Sequence, residues 1–332
     1  MSGSCCGIAP DQLYVGLDVG GTGLKGLLCT GAGEVKARAS SPTEAAQGYE
    51  AVMSRILDLT EGLVAQASQP VAGIGLALAG NLRSAQGTCV FSPNLPGWRD
   101  VPVAGPILER FPTRFRMGND ANCAALAEHR FGAGRGTTHM AMLTLGTGVG
   151  GGLIIDRRLQ VGPREGMAEI GHMIVDPNGP ECGCGNHGCL EAFCGAAGIS
   201  RAARRMLQTG RPSMMLDLAQ GDILNVTPLV VATAASQGDA LACEVLATIG
   251  NVLGTGLTSI CMLVDPDKII LGGQIAQAGE PLLEPARRTI RARARMVPFD
   301  PQNVVLAQLG GEAGSLGAVA LFDDEGIPEL TP

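Results

Sequence analysis

The segment HMIVDPNGPECGCGNHGC, residues 172–189, carries the densest metal-binding chemistry in the chain. It holds Cys182, Cys184 and Cys189, with His172 upstream. Three thiolates and one imidazole satisfy a tetrahedral zinc ion, and a full set of four protein ligands describes a structural site, since a catalytic zinc keeps one position open. Gly183, Gly185 and Gly188 would let the loop wrap the ion. His187 competes for the fourth place but is read as pointing outward, because it lies inside the tight loop. A second group is Asn119–Asp120, placed in a turn at the start of a helix. Asn and Asp are favoured helix caps. The functional alternative is a general base, a carboxylate that takes the proton from a hydroxyl attacking phosphorus. Phosphoryl transfer otherwise needs mainly positioning and charge neutralisation.

The third group is a set of glycine turns. DVGGTGLKG (18–26) lies between two expected strands. The backbone N–H groups of Gly20, Gly21 and Thr22 can face an anion, Lys25 is within reach of the same turn, and Asp18 could hold a metal-bound water. LGTGVGGG (145–152) presents Gly146, Thr147 and Gly148 in a similar setting. It also matches G-x-G-x-x-G at Gly146, Gly148 and Gly151. That fingerprint has to open a helix, whereas LIID follows here as a strand, so a dinucleotide site is rejected. No P-loop pattern occurs. The two strand–glycine–strand hairpins instead suggest a clamp on the phosphates of a nucleotide, and Gly272–Gly273 end a third strand where a base or ribose could lie against bare backbone.

These groups need elements to position them. Apolar runs predict strands at 13–19, 24–29, 71–78, 115–119, 139–146, 151–156 and 267–273. Helical spacing predicts helices at 49–68, 121–132, 196–208, 228–236, 240–263 and 316–322, and residues 1–12 read as a loose leader. Alternating strands and helices imply an α/β protein. Glycine occupies 49 of 332 positions, roughly twice the usual share of ~7 %, and aromatics are only 3 %. The formal charge is −7, with 24 basic and 31 acidic residues, and an acidic chain without a basic stripe is a poor nucleic-acid binder. No secretory signal opens the chain. No uninterrupted apolar run reaches the ~18 residues of a membrane span, so a cytoplasmic protein without a membrane partner is expected. Cys5, Cys6, Cys29, Cys89, Cys123, Cys194, Cys243 and Cys261 are scattered and read as reduced thiols.

The segments LDVGGTGLKG (17–26), SPNLPGW (92–98), NDAN (119–122), LTLGTGVGGGLI (143–154), AEIGH (168–172) and CGCGNHGCLE (182–191) together resemble the ROK family of sugar kinases, and within it the bacterial glucokinases, over nearly the whole chain. The resemblance implies the actin-like, hexokinase-type fold, with two α/β domains closing on a cleft. The expected division is 1–118 plus 309–332, to which the C-terminal helix returns, against 119–308 with the zinc loop. It implies that the DVGGT and GTG turns bind ATP, that Mg²⁺ bridges the phosphates, and that Asp120 is the catalytic base. Asn94, Asn119, Asp120, Glu169, His172 and Glu191 would hold the sugar, with His172 also binding Zn²⁺ through its other nitrogen. The implied reaction is ATP-dependent phosphorylation of the 6-hydroxyl of glucose by a homodimer or homotetramer. A kinase for N-acetylmannosamine, N-acetylglucosamine or another hexose shares every motif. A polyphosphate donor is disfavoured by the lack of a basic patch. A sugar-responsive repressor is disfavoured because the residues before Asp18 are too few for a helix-turn-helix domain. Three positions depart from the family pattern: Ala79 before Gly80, Gly23 after Thr22, and Cys194 where serine is frequent.

Overall fold

The structure is a computed structural model that describes residues 8–324 and 326–332. Residues 1–7, with Cys5, Cys6 and much of the expected leader, lie outside the described residues, as does Glu325. In chain order the first strands are β1 (Leu13–Val19), β2 (Gly23–Thr30), β3 (Val35–Pro42), β4 (Val71–Leu78), β5 (Asn81–Arg83), β6 (Thr88–Phe91), β7 (Arg99–Pro102) and β8 (Arg114–Asn119). They are followed by β9 (Met140–Leu145), β10 (Val149–Ile155), β11 (Arg158–Leu159), β12 (Lys268–Gly272) and β13 (Val304–Leu306). The first helices are α1 (Tyr49–Val64), α2 (Ala104–Arg110), α3 (Asp120–Phe131), α4 (Leu190–Cys194) and α5 (Ala196–Leu207). The remainder are α6 (Met215–Leu218), α7 (Pro228–Ser236), α8 (Ala240–Val264), α9 (Glu280–Arg293) and α10 (Ala313–Ala320).

The chain forms two compact units. Unit 1 comprises 1–135, 152–168 and 309–332; unit 2 comprises 136–151 and 169–308. The division differs from the expected boundary after residue 118. Helix α3 belongs to unit 1 because it packs along α10, where a Cβ on Gly317 would lie 1.8 Å from the Cys123 carbonyl oxygen. Only an absent side chain permits that approach.

In unit 1 the main sheet has the order β3-β2-β1-β4-β8. The centre, β1, is parallel to β4 and antiparallel to β2. Its near-continuous burial matches the unbroken apolar run of a strand covered on both faces. β3 alternates half-buried and exposed positions, as an edge strand does, and ends in Pro42, tolerable only at an edge. Helix α10 covers β1 and β4. It comes close because Gly16 and Gly75, paired across those strands, carry no side chain; a Cβ on either would meet an α10 carbonyl oxygen at 2.0 Å. The described end of the expected leader is anchored, since Ile8 is buried and the N–H groups of Gly31 and Ala32 donate to the carbonyls of Gln12 and Pro10.

The second sheet has the order β11-β10-β9-β12-β13, with β9, β12 and β13 parallel. In unit 2, α8 is apolar and long enough, by length and composition, to cross a membrane. It is a core helix. Its buried stripe packs against α7 and α9, and Gly250 and Gly254, one turn apart, admit the α9 backbone: a Cβ there would meet the carbonyl oxygens of Leu282 at 2.4 Å and Ala286 at 2.6 Å. Among the described cysteines, Cys29, Cys89, Cys123, Cys194 and Cys261 are buried and Cys243 is half-buried, all as free thiols.

Candidate active site

The first glycine turn joins β1 to β2 in unit 1. Gly20 N–H donates to the Gly23 carbonyl at 3.1 Å, closing the hairpin. Thr43, fully buried, braces the turn: its hydroxyl donates to Gly20 O at 2.6 Å and its N–H to Thr22 O at 3.2 Å. Nothing in the sequence marked Thr43, which lies beyond β3. A Cβ on Gly21 would be 2.9 Å from Asn94 O, so the turn brings together two segments expected to serve nucleotide and sugar. Asn94 itself is exposed.

Asp18, at the end of β1, pairs in register with Lys25. Its carboxyl is pushed up from 3.8 to about 6, by burial first, then by the Asp120 charge, with Lys25 opposing. Lys25 Nζ donates to Gly311 O at 3.4 Å. A Cβ on Gly314 would lie 2.6 Å from the Asp18 carboxylate, so the start of α10 abuts this acid. The Gly310–Ser315 stretch had no expected role; its run of small residues is the signal that could have marked it.

Asn119 and Asp120 sit where β8 turns into α3. Asn119 is the N-cap: its Oδ1 accepts from the N–H groups of Ala121 at 3.0 Å and Asn122 at 3.2 Å, and its Nδ2 is 3.4 Å from Gly80 O. Capping and a general base were the alternatives for Asn119–Asp120 in the sequence, and Asn119 is the cap. Asp120 is the first helical residue, with Oδ1 accepting from Ala121 N–H at 2.9 Å. Burial raises its pKa, against the lowering effect of those N–H bonds and of Asn119. A raised carboxylate is a stronger base.

In unit 2 the turn between β9 and β10 holds Gly146, Thr147 and Gly148. Gly146 N–H donates to Gly148 O at 2.9 Å. A strand follows it, as expected, so no dinucleotide fingerprint forms. At the end of β12, the Cβ position of Gly272 is filled by Met142 and Ala307. Gly273 has φ +86° and lies against Leu145 O, so its backbone demands glycine.

His172, Cys182, Cys184 and Cys189 converge, their ligand atoms all within 4.8 Å of one another. Cys184 Sγ and Cys189 Sγ are 3.7 Å apart, and Cys182 Sγ is 3.7 Å from His172 Nδ1. Tetrahedral zinc with its ordinary bond lengths separates two sulfurs by about 3.8 Å and a sulfur from a nitrogen by about 3.6 Å. The four residues therefore fit zinc. The Cys184 thiol is pulled down to about 7, chiefly by the Asn186 backbone N–H. The loop closes through Gly188, at φ +71°, where a Cβ would strike Asp176 O at 1.5 Å. His187 is exposed and outside the cluster. With Nδ1 in the cluster, the Nε2 of His172 is left for another partner.

Glu191, in α4, is tied to both features of unit 2. Its Oε2 accepts from Val149 N–H at 2.9 Å, and its Oε1 is 3.6 Å from Cys182 Sγ. Glu169, before the short turn at His172, is exposed. Cys194 is fully buried, with Sγ 3.9 Å from Ile249 O, so this departure from the family pattern lies in the core of unit 2.

The sequence profile of the ROK family matches residues 14–325. A glucokinase of Halalkalibacterium halodurans is 35% identical over 92% of this chain and 94% of its own. A glucokinase of Thermotoga maritima is 34% identical over 95% of this chain and 98% of its own. A solved ROK family glucokinase from Streptomyces griseus, in complex with glucose and AMPPNP, superposes with a TM-score of 0.80 at 32% identity, covering 93% of this chain and 98% of the other.

Proposed function

The chain belongs to the ROK family and has its actin-like, hexokinase-type fold, and from that premise we propose that it is an ATP-dependent glucokinase, transferring the γ-phosphoryl group to the 6-hydroxyl of glucose. The observation that carries the reading is Asp120. It is a half-buried carboxylate of raised pKa at the start of α3, in a chain whose relatives include glucokinases.

In this mechanism Asp120 accepts the proton of the sugar hydroxyl as that oxygen attacks phosphorus. Asn94, Asn119, Glu169, His172 and Glu191 would hydrogen-bond the sugar hydroxyls and fix the acceptor. His172 contributes Nε2 while Nδ1 is held with the three cysteines, which fixes its ring. Zinc would be held by His172, Cys182, Cys184 and Cys189 and would supply only rigidity. The N–H groups of Gly21, Thr22, Thr147 and Gly148 would donate to phosphate oxygens, and Lys25 would add a positive charge. Gly272 and Gly273 flank the nucleoside. Mg²⁺ would supply charge neutralisation on the phosphates when bound, and Asp18 would be the residue that holds it. The protein works in the cytoplasm as a homodimer or homotetramer, without nucleic acid or membrane as partner.

A coupled assay over a panel of hexoses tests this. Glucose should have the highest kcat/KM, with ATP preferred to polyphosphate. A higher kcat/KM for N-acetylmannosamine or N-acetylglucosamine would move the substrate, and no turnover of any sugar would defeat the proposal.

A further inference from the structure

The second glycine turn is held by the same segment that carries Glu191. Val149 N–H donates to Glu191 Oε2 at 2.9 Å. Where α4 passes into α5, Ala196 N–H donates to the carbonyls of Gly146 at 3.0 Å and Thr147 at 3.2 Å. The turn is thus gripped at three backbone atoms. Gly146 N–H is already engaged with Gly148 O, so among the described residues the N–H groups of Thr147 and Gly148 are the turn's open donors. Gly148 has a further part: a Cβ there would fall 2.3 Å from Glu191 Oε2 and 3.2 Å from its Cδ. The carboxylate reaches Val149 only because Gly148 has no side chain.

We propose that Gly148 and Val149 are positioning residues for the sugar: the turn that receives phosphate also sets the Glu191 carboxylate, and through it the sugar and nucleotide sites are energetically coupled. This rests on the sugar-kinase reading, which gives Glu191 its contact with substrate. Any movement of the turn on phosphate moves the N–H that fixes Glu191, and linkage makes the effect reciprocal, sugar altering nucleotide affinity by the same factor. Gly148 has no positive φ, so alanine suits its backbone. The clash falls on the flexible end of Glu191, and Gly148→Ala displaces the carboxylate while keeping the fold.

The test is calorimetric titration of glucose into nucleotide-free protein. Gly148→Ala should weaken glucose binding about tenfold or more, the scale of one hydrogen bond to a charged group. Gly62→Ala, in α1 of unit 1, whose Cβ meets nothing within 4 Å, should leave nucleotide-free glucose affinity unchanged. Unchanged affinity in Gly148→Ala overturns the proposal, and so does an equal loss in Gly62→Ala. Should Gly148→Ala fold poorly by circular dichroism, the reciprocal arm decides: Glu191→Ala should weaken binding of a non-hydrolysable ATP analogue without sugar, and unchanged nucleotide affinity overturns the proposal. A wild-type protein that binds no glucose would instead refute the kinase reading.

Discussion

Replacing Asp18 by asparagine should stabilise the ligand-free protein in a pH-dependent way. Asp18 is the next-to-last residue of β1, and burial with the Asp120 charge lifts its carboxyl from 3.8 to about 6 against the pull of Lys25. Between those values the unfolded chain has released a proton that the folded chain keeps. The stabilisation from the protonated acid is therefore complete below about 3.8 and lost as pH rises through about 6. Roughly two pKa units at ~1.4 kcal/mol each give ~3 kcal/mol. Asp18→Asn has no proton to release, so its stability advantage over wild type should widen by ~3 kcal/mol between pH 4 and pH 7 and then stay level. Carboxylates held below their ordinary range, such as Glu329 beside Arg114, act alike in both proteins and cancel in the difference. Urea unfolding without nucleotide or Mg²⁺ measures it, followed by the fluorescence of Trp98. That residue is the chain's one tryptophan and is buried in unit 1, so it reports on the unit that holds Asp18. A gap that stays constant with pH, or narrows, refutes the reasoning. The stabilised variant should have lost activity, the usual trade at a strained functional acid.

Gly146→Ala should leave thermal stability near wild type, since its Cβ enters open space, yet raise KM for ATP about tenfold by occupying space meant for phosphate; an unchanged KM would remove this turn from the nucleotide site. Elemental analysis of metal-replete protein should find one zinc per chain, and Cys184→Ala should lose it. Because metal binding contributes folding free energy, a chelator should lower the melting temperature of unit 2 in wild type and have no effect on the variant.

The strands that frame the site were readable because they are apolar runs ended by glycine: β1, β4 and β9 lie within a residue of where the spacing places them. β3 was missed because VKARASSP is a half-exposed edge with little apolar content. α9 was not among the expected helices; it holds Pro281 and Pro285, residues that ordinarily interrupt a helix, although Pro281 occupies the first turn, where the missing N–H costs nothing. The cluster of His172, Cys182, Cys184 and Cys189 was legible because these residues are close in sequence and are all metal-ligating types. The contacts of Gly148 with Glu191 and of Gly314 with Asp18 were not, since each joins residues far apart in the chain and depends on a side chain that is absent. For the same reason the part played by Gly16, Gly75 and Gly317, to which no role was assigned, was not readable: they are places where backbone packs on backbone.

The central claim is that Asp120 serves as the base in phosphorylation of glucose, and the most direct measurement is kcat for purified wild type and Asp120→Asn with glucose and Mg-ATP, the product identified by phosphorus NMR. Wild type should yield glucose 6-phosphate, and the variant, folded and still able to bind glucose, should be slower by about 10²–10⁴-fold, the range for a lost general base. Full activity in Asp120→Asn, or phosphate on a different hydroxyl, would contradict it.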